Sequence, residues 1–261
     1  VRRLVAPNPG MMTGPGTNTY LVGENEVAVI DPGPAIAAHL DAIQDQSPGP
    51  VRWILVTHTH PDHSPAAMPL AEKTGAELMG IPAPDGKVQD KTFKPDRQLG
   101  DGDLLETGEF VLRAVHTPGH ASNHLCYRHE AQRMLFTGDH IMSGSTVVID
   151  PPDGNMKHYL ESLERLKTLD LAALLPGHGS QINHPEDAVD QLIEHRLNRE
   201  AKVVAALRDH PDLDLMGLTP YVYDNVDESL HRLASRSLLA HLLKLEAEKS
   251  AVSKADKWAL L

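Results

Sequence analysis

Short apolar runs separated by turn residues dominate residues 19–175 of the chain. Runs of this length that are bounded by Gly, Pro or Asp are typical of buried strands that end in polar loops. We therefore predict a series of buried strands in this region. The predicted strands lie at residues 27–30, 51–56, 104–115 with a break at Gly108, 134–136 and 171–175.

A helical pattern lies between two of these strands. Apolar residues recur at spacings of three and four from Met156 to Leu169, and Asp153 or Asn155 stands where a helix cap is expected. Strands that alternate with helices indicate a layered α/β domain. The fold class predicted for this part of the chain is therefore α/β.

The pattern changes to almost continuous helix after Pro185. One long amphipathic stretch covers 186–209, a second pattern follows a break at Thr219-Pro220, and a third covers 229–248. The tail has two short apolar pieces around a polar turn, which predicts a hairpin. Three helices and a hairpin are the pattern of a winged helix, and a plain helical cap is the alternative. We predict a catalytic domain at 1–184 and a winged-helix-like domain at 185–261.

Composition and charge narrow the class of protein. The chain has 261 residues, of which 41% are hydrophobic and 23% charged, as in an ordinary folded protein. No apolar run approaches the roughly 18–20 residues of a membrane span, and the single cysteine, Cys126, forbids an internal disulfide. We therefore expect a cytoplasmic protein with no membrane partner.

The net charge of −12 is confined to the first 194 residues, because residues 195–261 carry 10 basic and 10 acidic side chains. An acidic surface disfavours nucleic acid, since affinity for phosphates comes largely from Lys and Arg. Bound divalent metals would offset part of this charge.

The segment Thr-His-Thr-His-Pro-Asp-His at 57–63 carries the strongest chemical signal. It follows an apolar strand and places His58, His60, Asp62 and His63 in one short loop. Zinc and similar ions prefer such nitrogen and oxygen ligands. The alternative is a helix N-terminus with histidines scattered over the surface, but a chance HxHxDH is rare.

Three later fragments share one design, in which a strand end runs into a glycine turn with one candidate ligand. They are Thr-Pro-Gly-His ending at His120, Thr-Gly-Asp ending at Asp139, and Pro-Gly-His-Gly around His178. Each is an ordinary turn when taken singly. Together with the first loop they make seven candidate ligands, which suit two metals that share a carboxylate better than one tetrahedral zinc.

These motifs, with the segment Gly-Thr-Asn-Thr-Tyr at 16–20 and the Asp31-Pro32-Gly33 turn, resemble the metallo-beta-lactamase superfamily over about residues 15–182. The resemblance implies an αββα sandwich and hydrolysis by a hydroxide that bridges two divalent ions, zinc being favoured over iron or manganese. It also implies a catalytic role for Asp62, which would orient the hydroxide and carry its proton. The implied ligands are His58, His60 and His120 on one metal, Asp62, His63 and His178 on the other, and Asp139 bridging both.

Within the superfamily, the chain is most similar to the beta-lactamase-like protein 2 group, whose animal member is a single-strand-specific endoribonuclease. The matching features are Gly-Thr-Asn-Thr-Tyr-Leu-Val at 16–22, the segment 140–148, and Ala-His-Leu-Leu-Lys-Leu at 240–245. Hydroxyls and amides in 143–146 would suit a substrate carboxylate or phosphate, and an ordinary turn is the alternative. The candidate substrate-binding residues are Ser143, Gly144, Ser145 and Thr146.

Several functions stay open at this point. The substrate is a small molecule, such as a thioester or lactone of the glyoxalase II type or a beta-lactam, or it is single-stranded RNA. A homodimer is also left open. The non-enzyme alternative is a winged-helix nucleic-acid-binding protein with a structural metal site. The balanced charge of 229–249 makes that alternative weak, because nucleic-acid readers carry a basic patch or stripe.

Overall fold

The computed structural model describes residues 1–86 and 88–261 and divides into two compact units. The first unit contains Val1–Thr117, Asn123–Val147 and Leu169–Pro185. The second contains Pro118–Ser122, Val148–Thr168 and Glu186–Leu261. Two segments from the middle of the sequence therefore belong to the same unit as the C-terminal residues.

The first unit contains two sheets. The first sheet has its strands in chain order, antiparallel from β1 to β3 and parallel from β3 to β6. Its β2 and β3 are buried along their whole length, so they consist largely of apolar residues. The strands are β1 Arg2–Val5, β2 Asn18–Val22, β3 Val27–Ile30, β4 Val51–Leu55, β5 Glu77–Gly80 and β6 Arg97–Gln98.

The second sheet has the order β11-β10-β9-β8-β7, and its pairs are antiparallel except for the parallel pair β10–β11. The long predicted strand at 104–115 is two strands joined by a turn, which agrees with the break predicted at Gly108. The strands are β7 Leu104–Glu106, β8 Val111–His116, β9 Leu125–His129, β10 Met134–Gly138 and β11 Ala173–Pro176.

The main core lies between these two sheets. Tyr20 of the first sheet packs against Phe136 of the second with ring centroids 5.1 Å apart. The buried Tyr127 hydroxyl donates to the Val56 carbonyl at 2.8 Å, which satisfies a polar group that burial would otherwise penalise. Helices α1 (Ala37–Gln46) and α2 (Ala67–Thr74) pack a second apolar cluster on the other side of the first sheet.

The strand ends determine where the polar loops meet. Strand β4 ends at Leu55, just before the histidine-rich loop, and β10 and β11 end just before Asp139 and His178. Because parallel strands present their carboxyl ends at the same edge of a sheet, ligand sites in α/β folds collect there. The candidate ligands of the first unit follow such strand ends.

In the second unit, α3 (Met156–Leu166) begins as predicted. The Asn155 side chain caps the helix by accepting from the His158 backbone N–H at 3.0 Å. The helix ends at Leu166, one turn before the predicted end at Leu169.

The C-terminal residues form three helices and a small sheet, as the apolar pattern predicts. Residues from all of these elements, including Leu207, Leu218, Leu242 and Trp258, form one buried cluster. Ala255 and Asp256 have φ values of 50° and 62°, which suit a two-residue hairpin turn. The elements are α4 Pro185–Asp209, β12 Leu213–Asp214, α5 Leu215–Val222, α6 His231–Ala247, β13 Ala251–Lys254 and β14 Lys257–Leu260, with a short 3-10 turn at Glu228–Leu230.

The predicted break at Thr219-Pro220 is wrong, because α5 continues through Pro220. The Asp214 side chain caps this helix by accepting from the Gly217 N–H at 2.7 Å. Leu218 and Val222 are fully buried, and this packing compensates for the one backbone hydrogen bond that proline cannot make. Among the described residues, no helix is long and apolar enough to cross a lipid bilayer.

Candidate metal centre

The buried carboxylate of Asp31, at the end of β3, organises the histidine-rich loop. Its Oδ1 accepts from the Thr57 backbone N–H at 2.7 Å, and its Oδ2 accepts from the Thr57 hydroxyl at 2.7 Å. Oδ2 also lies 2.9 Å from His63 Nδ1. Since a carboxylate accepts hydrogen bonds, the neutral His63 ring, the form that binds a metal, carries its proton on Nδ1 and its lone pair on Nε2.

His178 has the same arrangement on a different acceptor. Its Nδ1 lies 3.3 Å from the Gly16 carbonyl, which can only accept, so the neutral ring, the form that binds a metal, has its lone pair on Nε2. Nε2 of His63 and Nε2 of His178 are both buried, and neither has a hydrogen-bond partner in the described part of the chain. Buried nitrogen atoms of this kind need a partner, and a metal ion provides one.

Two carboxylates complete a four-residue cluster around these nitrogens. Asp139 Oδ1 lies 3.3 Å from Nε2 of both His63 and His178. Asp62 Oδ2 lies 3.5 Å from His63 Nε2 and 3.1 Å from His178 Nε2. One ligand atom from each of the four residues lies within 4.8 Å of the others. Two imidazoles and two carboxylates suit zinc, iron or manganese, so the donor set fits a metal.

The charges of this cluster depend on one another. Burial alone would raise the pKa of Asp139, but the His63 and His178 imidazoles outweigh it and hold that pKa well below its usual range. Asp62 behaves in the same way, with its pKa lowered chiefly by His63. Burial opposes charge on His178, yet the Asp139 carboxylate raises the pKa of His178 to about 9. Both carboxylates are therefore ionised at neutral pH and available as ligands.

His58 and His60 bring two more nitrogen atoms together in the first unit. His58 Nε2 lies 3.0 Å from His60 Nδ1. His58 Nδ1 lies 3.0 Å from the Thr57 hydroxyl oxygen, whose own proton is donated to Asp31. His58 Nδ1 therefore carries the ring proton, and Nε2 keeps its lone pair.

His120 belongs to the second unit, and its ring is oriented there. Its Nδ1 lies 2.7 Å from the Val148 carbonyl, so Nδ1 carries the proton and Nε2 keeps a lone pair. The neighbouring Gly119 carbonyl accepts from the Asn155 N–H at 2.7 Å.

Sequence reasoning missed the side chains that support the candidate ligands. The Asp139 N–H donates to His124 Nε2 at 3.2 Å, and His124 Nδ1 lies 2.9 Å from the Thr117 hydroxyl. Gly177 matters through its lack of a side chain, because a Cβ there would lie 2.7 Å from His63 Cε1. The signal available in the sequence was a polar residue directly after an apolar run, as at Asp31.

The loop predicted to bind substrate begins beside His178. The Ser143 N–H donates to the His178 carbonyl at 3.3 Å. Gly144, Ser145 and Thr146 are exposed. The structure therefore brings the start of this loop to the His178 backbone and leaves its remaining residues open to solvent.

Comparison with known proteins identifies the family. The sequence profile of the metallo-beta-lactamase superfamily matches residues 12–178. The chain belongs to the metallo-beta-lactamase superfamily. A second profile, the beta-lactamase-associated winged helix domain, matches residues 215–258. The predicted metallo-beta-lactamase fold and C-terminal winged helix are thus confirmed.

Individual relatives agree with this assignment. A Drosophila melanogaster beta-lactamase-like protein 2 homolog is 32% identical over 98% of this chain and 91% of its own length. An atrochrysone carboxyl ACP thioesterase of Aspergillus novofumigatus is 27% identical over 97% of this chain and 80% of its own length. The crystal structure of a metallo-beta-lactamase family protein from Thermus thermophilus is also similar. The alignment covers 100% of this chain and 98% of that protein's chain, with a TM-score of 0.82 and 22% sequence identity.

The family and the geometry together establish the class of activity. This protein is a metallo-beta-lactamase superfamily hydrolase with a His/Asp cluster suited to binding metal. The prediction of an enzyme is therefore confirmed, and a non-enzymatic winged-helix protein is set aside.

Proposed function

We propose that this protein is a binuclear metal-dependent hydrolase. One ion would bind His58, His60 and His120, the other would bind Asp62, His63 and His178, and Asp139 would bridge them. The observation that carries the proposal is the orientation of His63 and His178. Their Nδ1 atoms lie against oxygen atoms of Asp31 and Gly16, and their buried Nε2 atoms have no hydrogen-bond partner among the described residues. Metal-ligating histidines are typically oriented in this way.

We infer that the ions are zinc. Imidazole and carboxylate donors suit zinc and would also hold iron or manganese. When bound, two such ions would supply a hydroxide nucleophile at neutral pH and polarise the bond to be cleaved.

Asp62 is proposed as the catalytic residue of the chain itself. Its side chain is 26% exposed and so reaches the solvent side of the cluster, and its lowered pKa keeps it ionised at neutral pH. An ionised carboxylate in this position accepts the proton of the attacking water and passes it to the leaving group.

The loop at Ser143, Gly144, Ser145 and Thr146 is proposed to bind the polar end of the substrate. Two observations support this role: the Ser143 backbone is hydrogen-bonded to His178, and the next three residues are exposed. Hydroxyl and amide groups there would donate to a carboxylate or phosphate.

The proposed substrate is a thioester or a related activated ester. The Aspergillus novofumigatus relative is named as an acyl-carrier-protein thioesterase, and the acidic first 194 residues repel polyanions. Two cations of α6 are also occupied, since Arg236 pairs with Asp150 and Lys244 with Glu200. Single-stranded RNA and beta-lactams are therefore the second and third substrates to test.

The decisive experiment compares three substrates under one metal condition. Zinc-loaded protein is assayed with an acyl thioester, a short single-stranded RNA and a chromogenic beta-lactam, beside Asp62→Ala and His120→Ala. We expect thioester hydrolysis that both substitutions abolish while the fold persists. Near wild-type turnover in either variant would contradict the mechanism, and RNA cleavage by the wild type alone would move the protein to the endoribonucleases.

The number of bound ions tests the site independently of any substrate. Elemental analysis of the zinc-loaded protein is expected to give two ions per chain, whereas a purely structural site predicts one. The same preparation tests three remaining predictions: a homodimer by light scattering, domains at 1–184 and 185–261 by limited proteolysis, and a cytoplasmic location by cell fractionation.

A further inference from the structure

We propose that the winged helix positions His120 through the hydroxyl of Ser237 on α6. The inference rests on the proposed function, in which His120 is a metal ligand. It gives the C-terminal domain a role in building the metal site and makes Ser237 a positioning residue.

A single peptide group connects the two residues. Its carbonyl, from Val148, accepts from His120 Nδ1–H at 2.7 Å. Its N–H, from Ile149, donates to the Ser237 hydroxyl oxygen at 3.2 Å. The carbonyl and the N–H of one peptide bond lie in one rigid plane, so the hydrogen bond at one end sets the direction of the other. Ser237 therefore orients the acceptor of the His120 ring.

This chain of contacts is shielded from water. The Ile149 side chain is fully buried, and Ser237 is only 6% exposed. Few waters can replace the Ser237 hydroxyl at such a site, and a buried N–H without an acceptor is costly. Loss of the hydroxyl would therefore favour a rotation of the peptide plane.

Packing and an ion pair hold the part of α6 that carries Ser237 in place. The neighbouring Leu238 and Leu242 belong to the buried cluster of the second unit. One residue before Ser237, Arg236 pairs with Asp150 at 3.0 Å, one residue after Ile149. Arg236 and Ser237 of α6 thus contact Asp150 and Ile149, the two residues that follow Val148.

The backbone around His120 is held separately, by α3, whereas the hydrogen bond to Val148 acts on the ring. The Gly119 carbonyl accepts from Asn155 N–H at 2.7 Å. Gly119 has a φ of 149°, and a Cβ there would lie 2.4 Å from the Tyr159 Cα of α3. Because α3 fixes the position of the backbone, Ser237 acts on the orientation of the His120 ring. Ring orientation affects how strongly a histidine binds a metal.

The test compares Ser237→Ala with a matched control on the same helix. Ser235 is also 6% exposed, but its hydroxyl donates to the Arg232 carbonyl of α6 itself. Zinc affinity is measured with a competing chromophoric chelator, and the coordination is followed by the visible absorption of the cobalt-loaded protein. We expect Ser237→Ala to bind one of its two ions about 10-fold more weakly with an altered cobalt spectrum. Ser235→Ala should match the wild type, and Ser237→Thr should restore it.

Further measurements distinguish a failure of this inference from a failure of the proposed function on which it rests. If His120→Ala retains both ions, the proposed ligand set is wrong. If His120→Ala loses one ion while Ser237→Ala behaves like Ser235→Ala, the inference is overturned and the proposed function stands. Should Ser237→Ala fail to fold, Ser237→Cys keeps the side-chain shape with a weaker acceptor, and wild-type zinc affinity in that variant would also overturn the inference.

Discussion

At the scale of single residues, the site depends on side chains that would never touch a metal. The Asp31 carboxylate accepts three hydrogen bonds, two from Thr57 and one from His63. The imidazole orientation therefore follows from the chain itself. Such outer groups typically change metal affinity 10–100-fold when they are replaced.

Replacing Asp31 with Asn tests this directly. The amide turns one acceptor into a donor, so at least one of the three hydrogen bonds is lost, and His63 is no longer held in one tautomer. We expect zinc affinity to fall about 10- to 100-fold, measured by chelator competition. Asp41→Asn is the control, because Asp41 pairs only with exposed Lys73 at 3.1 Å among the contacts described. Equal zinc affinities in the two variants would contradict the role of Asp31.

The metal-free cluster should make stability depend on pH. The pKa of His178 is raised to about 9 against a usual value near 6.5, so the folded state holds its proton more tightly. This stabilisation is fully present below about pH 6.5 and is lost as pH rises through 9. Thermal unfolding of the chelated protein should therefore show a falling midpoint between pH 6.5 and 9. A His178→Gln variant should show a shallower slope but keep part of it, because the neighbouring carboxylates also hold the pKa of His63 well above its usual value. A slope identical to that of the wild type would refute the assignment.

At the scale of secondary-structure elements, α4 and α6 are joined by a polar contact within the second unit. Glu200 of α4 lies 3.1 Å from His241 Nδ1 and 2.7 Å from Lys244 Nζ, both on α6. The His241 side chain is fully buried, and Lys244 is 11% exposed. A shielded carboxylate between two donors contributes more than an exposed ion pair.

Removal of Glu200 should therefore destabilise the second unit. Glu200→Ala leaves the buried His241 Nδ1–H and Lys244 without that acceptor, and we expect a loss of about 1–2 kcal/mol in denaturant unfolding. Glu248→Ala removes a more exposed partner of the same lysine, at 3.1 Å, and should cost less than about 0.5 kcal/mol. Equal losses in the two variants would argue against a special role for the buried contact.

At the scale of the whole molecule, acidity and metal binding are linked. The net charge of −12 lies in the part of the chain that carries all seven proposed ligands. Divalent ions would neutralise part of that charge, and a ligand that binds only the folded state stabilises it by mass action.

Chelation should therefore lower the thermal stability of the protein. A metal present at 100 times its dissociation constant contributes about 2.7 kcal/mol, which corresponds to about 5–10 °C for a chain of this size. Calorimetry before and after EDTA treatment measures the change, and added zinc should restore the original midpoint. Magnesium, which prefers oxygen ligands, is the control ion and should not restore it. An EDTA-treated protein that melts at the original temperature would contradict a tightly held metal.

Much of the fold follows from local patterns. The apolar runs predict the strands because buried strands need uninterrupted apolar residues, and Asn155 predicts the start of α3 because its side chain satisfies a free backbone N–H. The continuation of α5 through Pro220 was not predictable in this way. It depends on the burial of Leu218 and Val222 against residues distant in the sequence.

The candidate metal ligands can be identified from the sequence alone, because the four motifs that contain them are short and contiguous. The tautomers of His63, His178 and His120 are visible only in the folded structure. Asp31, Gly16 and Val148 set those tautomers, and each is distant in the chain from the histidine it orients. Hydrogen bonds act over about 3 Å in space, whereas sequence patterns report neighbours along the chain, so these acceptors had to be located in the folded structure.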